Sequence, residues 1–451
     1  MRVIFVNPRY REWVKSLPLG IAYLAGILVK QGHWVRVIDA NAEELNTADV
    51  SEHIKLCKVD MVCITSVTAQ IYSGWDIAQA VKKENPAITV VIGGVHPSAM
   101  VEESLGKEFI DFVVRGEGEV TLTELIDCLE HKGGIEKVDG ISYKKGNCFQ
   151  NNPKRSLIDN LDALPFPARD LFPFPYKYSS PFKLKKLHAT LITSRGCPGG
   201  CIFCNKNIFG SVFRMRSAEN VIMEIEYLAK EYGIKEFHMA DDCFSWDRNR
   251  VEQICELLIR KKLNVAWACS NGIRVDSVDK KLLELMKESG CYRIAFGVES
   301  GSEEVLKKIG KRIHLDEIKH AFEMAELAGI ATVALFMLGN FGDDTKNIEK
   351  TIEFSKSLAT DYAQFTIAVP FPGTPFFKII EQKGRFLSRD WKEFGVFSKP
   401  LFELNGLTAD LMSHMYKKAY REFYFRPSQI GRILYKRLIS LSFRDLVRLF
   451  N

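Results

Sequence analysis

The sequence predicts two α/β units in tandem, joined by a proline-rich strap and followed by a helical C-terminal tail. Three observations predict it. Residues 1–131 alternate short apolar runs with helical patterns, 132–187 break that rhythm with turn signals and clustered prolines, and from 188 the alternation resumes with longer units. A chain of 451 residues suits about three domains at roughly 150 residues each. The segments are 1–131, 132–187, 188–375 and 376–451.

In the first unit the strands are expected at 2–6, 34–38 (Trp34-Val35-Arg36-Val37-Ile38), 59–65, 88–92 and 111–114. Strands alternating with helices imply right-handed crossovers and a doubly wound parallel sheet. Each strand exits into small or polar residues: Asn7-Pro8, Asp39-Ala40-Asn41, Ser66-Val67-Thr68, Gly93-Gly94-Val95-His96-Pro97 and Gly116-Glu117-Gly118-Glu119. Open α/β sheets bind ligands at their carboxyl edge, so this unit is expected to be a binding domain. Taken alone, Gly93-Gly94 also reads as a tight strand exit.

Between the units, Gly140–Tyr143 and the turn Lys145-Gly146-Asn147 predict a small hairpin. Leu164–Phe182 then holds five of the sixteen prolines, interleaved with Phe166, Phe172, Phe174, Tyr176 and Tyr178. Proline fixes φ and removes a donor, so this stretch is expected as an extended strap pinned by aromatics across a domain junction. The second unit has candidate strands at 188–193, 235–240, 265–269, 293–298, 331–337 and 362–369, with a helix at 281–289 ending at Gly290. Six βα units fit a partial barrel, which places chemistry at strand C-termini.

Composition excludes several classes. Hydrophobic residues make up 46 % and charged residues 26 %, the balance of a globular protein and not of a disordered or collagen-like chain. Net charge is +6, of which residues 426–451 contribute +5, with six basic side chains against Asp445. The body is near neutral, so no nucleic-acid groove is expected. No run reaches 18 apolar residues, and Met1–Val6 reads as a strand and not as a charged leader. A cytoplasmic location is expected.

Eleven cysteines are present, and three cluster in Ser194-Arg195-Gly196-Cys197-Pro198-Gly199-Gly200-Cys201-Ile202-Phe203-Cys204. The spacing is C-x3-C-x2-C on a glycine-rich loop that directly follows the first expected barrel strand. Three thiolates this close converge on one soft-metal centre. Structural zinc would need a fourth ligand, for which the candidates, Cys243 or His238, are one strand away. An iron–sulfur cluster instead leaves one iron open.

This segment resembles the signature of the radical S-adenosylmethionine (radical SAM) superfamily. The resemblance implies that Cys197, Cys201 and Cys204 hold a 4Fe-4S cluster whose fourth iron chelates S-adenosylmethionine, cleaved on reduction to a 5′-deoxyadenosyl radical. Phe203 falls at the motif's aromatic position. Phe296-Gly297-Val298-Glu299-Ser300-Gly301-Ser302 resembles the family segment after the fourth strand, implying cofactor contacts from Glu299 and Ser300. Leu338–Thr345, with Gly339, resembles the segment that meets the adenine, and Pro370–Pro375 completes the pattern. Asp241-Asp242 stands where many members contact the methionyl amine, though Asp242 also suits a solvated helix cap.

The combination of sheet, strap and barrel resembles the cobalamin-binding radical SAM subfamily over residues 1 to about 375. Pro18-Leu19-Gly20-Ile21-Ala22-Tyr23-Leu24 and the exits Gly93–Pro97 and Arg115–Glu119 carry that likeness. The implied fold is α/β: a flavodoxin-like (Rossmann-like) cobalamin-binding domain, then a partial (β/α)6 TIM-type barrel and a helical tail. The implied cobalamin contacts are Leu19, Gly20, Ser66, Thr68, Gly93, Gly94, His96, Gly116 and Glu117. No Asp-x-His-x-x-Gly motif occurs in this domain, so cobalamin is expected without a protein histidine on cobalt.

The function implied is methylation of an unactivated carbon by a cobalamin-dependent radical SAM enzyme. The alternatives are a non-methylating oxidoreductase resembling the tetrapyrrole cyclases and, in another class, a non-catalytic iron–sulfur or cobalamin sensor. A methylthiotransferase fits less well, since the first unit lacks a second cysteine triad. The expected partners are a small-molecule or lipid-like substrate and an electron donor such as flavodoxin or ferredoxin. In the tail, Ile430, Ile433, Leu434, Leu438 and Leu441 share one helical face, and Ser442 starts a second short helix after a bend near 440–442. Either these faces dock on the barrel or the basic tail makes a peripheral membrane contact.

Overall fold

The computed structural model describes residues 1–10, 15–180, 183–396 and 399–440. In the first unit β1 (Arg2–Asn7), β2 (Trp34–Asp39), β3 (Met61–Thr65), β4 (Thr89–Gly93) and β5 (Phe112–Val114) form a parallel sheet in the order β2-β1-β3-β4-β5. Val3 pairs with Val35 on one side and Met61 on the other, so the strand order reverses at β1/β3, where doubly wound sheets bind ligands. Side-chain alternation divides the strands between two cores. Ile4, Val6, Val62, Ile64, Val90 and Ile92 enter one; Val3, Phe5, Met61, Cys63 and Val91 enter the other. Burial on both faces is why these strands read as continuous apolar runs.

The expected break at residue 131 is not a structural boundary. The hairpin β6 (Ile141–Lys145) and β7 (Cys148–Asn151) continues the same sheet, with Val114 paired antiparallel to Ile141. It covers β5, whose free edge would otherwise expose unpaired backbone groups. The strap does span the junction. Phe172 and Tyr178 enter the core of the first unit, and Tyr178 donates to Asp39 Oδ2 at 2.7 Å. Its Arg169 donates to Thr190 O and Glu224 Oε1, both at 2.8 Å, on the barrel side.

In the second unit β8 (Ala189–Leu191) ends early, and the chain bends into a two-residue ribbon of β9 (Ser194–Arg195) with β10 (Arg214–Met215). The strands β11 (Glu236–Met239), β12 (Ala266–Ile273), β13 (Cys291–Glu299), β14 (Ala331–Leu338) and β15 (Tyr362–Ile367) follow. The parallel order is β8-β11-β12-β13-β14-β15, open between its two edges. Phe237, Trp267, Phe296 and Phe336 point outward into the core shared with the helices. One of these helices, Lys280–Glu288, is capped by the Asp279 side chain on Leu282 N.

The open edge at β15 is satisfied by side chains. From helix Ala409–Tyr424, Tyr420 Oη donates to Phe365 O at 3.1 Å and accepts from Phe365 N at 3.2 Å. Tyr424 does the same with Ala363, at 2.7 and 3.2 Å. Residues four apart on a helix thus match residues two apart on a strand.

The expected boundary at 375/376 also moves. Helix Pro375–Lys383 closes the barrel, after which Trp391, Phe394 and Leu401 return to the core of the first unit. The described part of the tail is helix Pro427–Ser440, and it corrects one expectation. Polar residues dock it, with Gln429 on Asp361 O at 2.7 Å and Arg432 on Asp361 Oδ1 at 2.9 Å and Glu326 at 2.6 Å. Ile430 and Leu434, from the face expected to dock, stay 44 % and 54 % exposed. The expected bend and second helix lie outside the described residues. No helix among the described residues is long and apolar enough to cross a membrane.

Candidate cluster and cobalamin site

The ribbon β9/β10 turns the chain so that the cysteine loop faces the carboxyl edge of the first sheet. Between them lies a cavity of about 490 Å³. Cys197, Cys201, Cys204 and Asp242 line it from the barrel side, and Gly20, Gly93, Gly94, Gly116 and Glu117 from the first unit. Residues expected to hold two different cofactors therefore face one another across a single cavity.

The loop is held by its own residues and by the barrel. Lys206 Nζ donates to Cys197 O at 3.0 Å and also to Gly199 O. Ile202 N donates to Ile309 O at 3.0 Å. Asp242 Oδ2 accepts from Gly196 N at 3.1 Å, and Asp241 accepts from Thr193 and Ser194 N. Burial raises the pKa of both aspartates, against the lowering effect of these N–H donors. The hydrogen bond from Cys243, helped by Gly199 N–H and Lys206, brings Cys197 down to about 6. The bond from Cys204, with Lys311 nearby, brings Cys201 down to about 7. The same bonds, with burial, push Cys204 and Cys243 up, so only two of the three loop thiols lean towards the thiolate that binds metal.

Three cysteine thiols on one short loop suit an iron–sulfur cluster that keeps one iron open. On the opposite wall, Gly94 has φ 99°, and a Cβ there would lie 2.9 Å from Ser66 O and Thr65 Oγ1. Glycine there lets the exit of β4 close on the exit of β3 at the edge of the cavity. Deeper in, Phe5, Ile21, Leu24, Val91, Val114 and Leu122 make an apolar slot, suited to the nucleotide tail of cobalamin. No histidine is among the lining residues.

Several expected contacts do not reach this cavity, and the pleat explains the first group. Thr65 and Val67 line it, whereas Ser66 and Thr68 are buried on the other side of the chain. Leu19 packs into the sheet core. His96 is 0 % exposed, with its ring 5.2 Å from Trp391 and its Nε2 3.2 Å from Glu103. These placements correct the expected contacts at Leu19, Ser66, Thr68 and His96. Phe203, Glu299, Ser300 and Gly339 also stand outside the cavity wall, at the barrel mouth. Phe203 packs on the barrel core, and the Ser300 hydroxyl lies 3.1 Å from Thr351 Oγ1 while accepting from Ser302 N. The Gly339 backbone runs against Met412, whose Sδ would be 2.8 Å from an added Cβ. Glu299 sits in the left-handed region, φ 67°, at a register shift between β13 and β14. A non-glycine residue held there stores strain of a kind that clusters at functional sites.

Four side chains escaped the sequence reading. Lys311 donates to Glu299 Oε1 at 2.7 Å, and despite burial its pKa is raised by Glu299 and Cys201. Arg195 binds Glu117 at 2.8 Å and Glu119 at 2.6 Å. Tyr23 lies under the Arg195 guanidinium, 5.2 Å from it, and burial pushes its hydroxyl up to about 12. The signal for Glu119 was the Arg-Gly-Glu-Gly-Glu exit, for Tyr23 its position in the Pro18–Leu24 segment, and for Arg195 its position two residues before Cys197; Lys311 had none.

Comparison with known proteins agrees with this geometry. The radical SAM superfamily model matches residues 191–355 and the B12 binding domain model residues 15–126. An uncharacterised methyltransferase of Pyrococcus horikoshii is 35 % identical, spanning 100 % of this chain and 99 % of its own. The anaerobic magnesium-protoporphyrin IX monomethyl ester cyclase of Rubrivivax gelatinosus is 28 % identical over 95 % of this chain and 78 % of its own. Among solved structures, the radical SAM methyltransferase TsrM of Kitasatospora setae, with cobalamin and a [4Fe-4S] cluster bound, has a TM-score of 0.73 at 17 % identity, covering 96 % of this chain and 90 % of that one. The cobalamin-dependent radical SAM enzyme OxsB has a TM-score of 0.75 at 18 % identity, covering 97 % and 71 %. At such identities these two share the fold.

The chain belongs to the radical SAM superfamily. Within it, the chain falls in the branch that joins a B12-binding domain to the barrel, and its cofactors are a 4Fe-4S cluster, S-adenosylmethionine and cobalamin.

Proposed function

We propose that this enzyme methylates an unactivated carbon of a small, largely apolar molecule. The single observation that carries the reading is the shared cavity, with the cluster cysteines at one side and the cobalamin cradle at the other. When bound, the cluster supplies the electron that cleaves S-adenosylmethionine, and cobalamin supplies a methyl carrier.

This chain's residues do the holding. Cys197, Cys201 and Cys204 would ligate the cluster. Asp242 and Glu299 would accept hydrogen bonds from S-adenosylmethionine, with Glu299 steadied by Lys311. Phe203, Ser300 and Gly339 would shape that site from the barrel mouth. Gly20, Thr65, Val67, Gly93, Gly94, Gly116 and Glu117 would cradle cobalamin with no histidine offered to the metal.

Anaerobically reconstituted protein given S-adenosylmethionine and a reductant tests the reading. Methylation predicts both 5′-deoxyadenosine and S-adenosylhomocysteine with a candidate substrate present. The cyclase alternative, favoured by the Rubrivivax relative, predicts 5′-deoxyadenosine without S-adenosylhomocysteine. A sensor predicts neither. A flavodoxin or ferredoxin is the proposed electron donor, and the exposed Ile430 and Leu434 support peripheral contact with a membrane that holds a lipid-like substrate.

A further inference from the structure

A closed βα barrel fills its interior with bulky branched side chains. Here several inward positions are small: Ala266 and Ala268 on β12, Ala295 on β13 and Ala331 on β14, whose neighbours Trp267, Ile294 and Phe296 point outward. Along β14, Thr332, Ala334, Phe336 and Leu338 are buried towards the helices, while the inward Val333, Leu335 and Met337 are only half-buried. β15 repeats the alternation, with Gln364 and Thr366 inward and half-buried. The lumen is therefore hollow, and its β14 wall is apolar. Its amino end is polar. Glu236 and His238 of β11 face inward, as does His188 just before β8. A register shift sets Tyr292 between the pairs Trp267–Cys291 and Ala268–Arg293, so two successive residues of β13 turn to the lumen. Across the small Ala266 and Ala268, Tyr292 Oη donates to Glu236 Oε1 at 2.7 Å and lies 3.3 Å from His238 Nε2. Glu236 also accepts from Leu184 N at 2.8 Å, and His238 Nδ1 is 3.1 Å from Ser180 Oγ. His188 is the exception on this floor. It is 5 % exposed, its ring is 5.1 Å from that of His238, and it makes no hydrogen bond with any described residue. Burial and the neighbouring His238 bring it down to about 4, so the ring is neutral and offers one N–H donor and one acceptor nitrogen.

We propose that His188 sets specificity for a substrate lying along the lumen with an alcohol head group at the floor. A hydroxyl donates and accepts at once, which matches the imidazole it would meet. Glu236 and Arg293 give the floor one charge of each sign, so a carboxylate or an ammonium would be buried there without a counter-ion of its own. The apolar body of the substrate rests on Val333, Leu335 and Met337. The reacting carbon is then remote from the hydroxyl, at the cluster end, because His238 precedes Asp242 by four residues, roughly 13 Å of extended chain. The inference deepens the proposed methylation and rests on that reading for calling the bound molecule a substrate.

The test uses full-length protein reconstituted with its cluster and cobalamin, and three probes of one chain length: n-octanol, octanoate and octylamine. Binding is read by saturation-transfer nuclear magnetic resonance, without turnover. Octanol should bind at least about tenfold more tightly than either charged probe. His188→Leu should weaken octanol by about tenfold, the worth of one hydrogen bond, and His188→Gln, which restores a donor and an acceptor, should recover most of it. Val333→Trp, filling the lumen from its wall, should abolish octanol binding while iron and cobalamin content hold. The proposal is overturned if no probe binds, if the three bind alike, or if a charged probe binds best. It is also overturned if octanol affinity is unchanged in His188→Leu or in Val333→Trp. Wild-type selectivity alone decides the head group, so the result stands even if a variant folds poorly. The two readings fail separately: absence of S-adenosylhomocysteine in turnover would sink methylation and leave the binding result, whereas lost selectivity would sink the head-group assignment and leave methylation.

Discussion

Arg195 and Glu117 meet at 2.8 Å across the junction of the two units, and both side chains are nearly buried. Arg195 lies two residues before a cluster cysteine, and Glu117 lies on the exit of β5. Arg214 donates to both oxygens of the same carboxylate, at 2.9 and 2.8 Å, and also to Ile158 O, in the segment between the hairpin and the strap, at 2.7 Å. Ile158 N returns a bond to Glu117 at 2.9 Å. One carboxylate thus fixes the cysteine loop, the ribbon and the segment leading into the strap relative to the cobalamin cradle. A neighbouring network repeats the device: burial opposes ionisation of Glu224, but Arg216 and Arg169 beside it hold its carboxyl below the usual range.

Removing one member of a buried ion pair leaves an uncompensated charge, at a cost of about 3–5 kcal/mol. Glu117→Ala strands Arg214 and leaves Arg195 to Glu119 alone, so calorimetry should show a clear drop in Tm. Cobalamin retention should fall with it, because the two walls lose their common anchor. An unchanged Tm would mean that the network does not bear on stability.

The cluster should depend on three cysteines and no others. Iron and sulfide analysis with electron paramagnetic resonance should show the 4Fe-4S signal lost in the Cys197/Cys201/Cys204 triple Ala variant. Cys243→Ser should keep full iron content under anaerobic reconstitution. Loss of iron there would promote Cys243 to a ligand.

Much of the fold was legible because parallel strands buried on both faces read as unbroken apolar runs, as in Met61–Thr65. What lies at a strand exit is less legible. The motif around Ser66 and Thr68 marks the right loop, but the pleat turns Thr65 and Val67 to the cavity instead. His96 lies in a cobalamin-like exit, yet Trp391, almost three hundred residues away, draws its ring into a core. No local pattern encodes such a partner. Lys311 is similar: it reaches Glu299 from a loop that also docks on the cysteine loop, through Ile202 N to Ile309 O.

Cobalamin should bind with no protein nitrogen on the metal. His96 is already committed to Glu103 and two tryptophan rings. In the reduced Co(II) form, electron paramagnetic resonance should lack nitrogen splitting that responds to ¹⁵N-histidine labelling. A label-dependent splitting would contradict the geometry.

Asp343 gives a pH dependence of known sign. Burial pushes its carboxyl up to about 7 from an ordinary value of 3.8, and Oδ1 has no hydrogen-bond partner among the described residues. The folded state therefore holds a proton that the unfolded state releases between about pH 4 and pH 7. Stability from this group is present below the lower value and lost as pH rises towards the upper one. The Tm advantage of wild type over Asp343→Asn should accordingly shrink across that window. An advantage that grew with pH would reverse the assignment.

The tail should carry the protein to anionic lipid. Gln429 and Arg432 fasten the helix to Asp361 by polar bonds, which leaves Ile430 and Leu434 facing outward. Arg426 and Arg432 are engaged with the body, while Lys436, Arg437, Arg444 and Arg448 add four further basic residues to the tail. Basic side chains near an anionic surface contribute on the order of 1 kcal/mol each, and this becomes stable anchoring only when apolar area is buried as well. The double substitution Ile430→Glu with Leu434→Glu removes apolar area from exposed positions, so Tm should hold while sedimentation with phosphatidylserine vesicles falls. Deletion of 426–451 should abolish sedimentation, and raised salt should weaken it for the intact chain. If the intact protein never sediments with the vesicles, or the deletion sediments equally, the exposed face serves something other than a lipid surface.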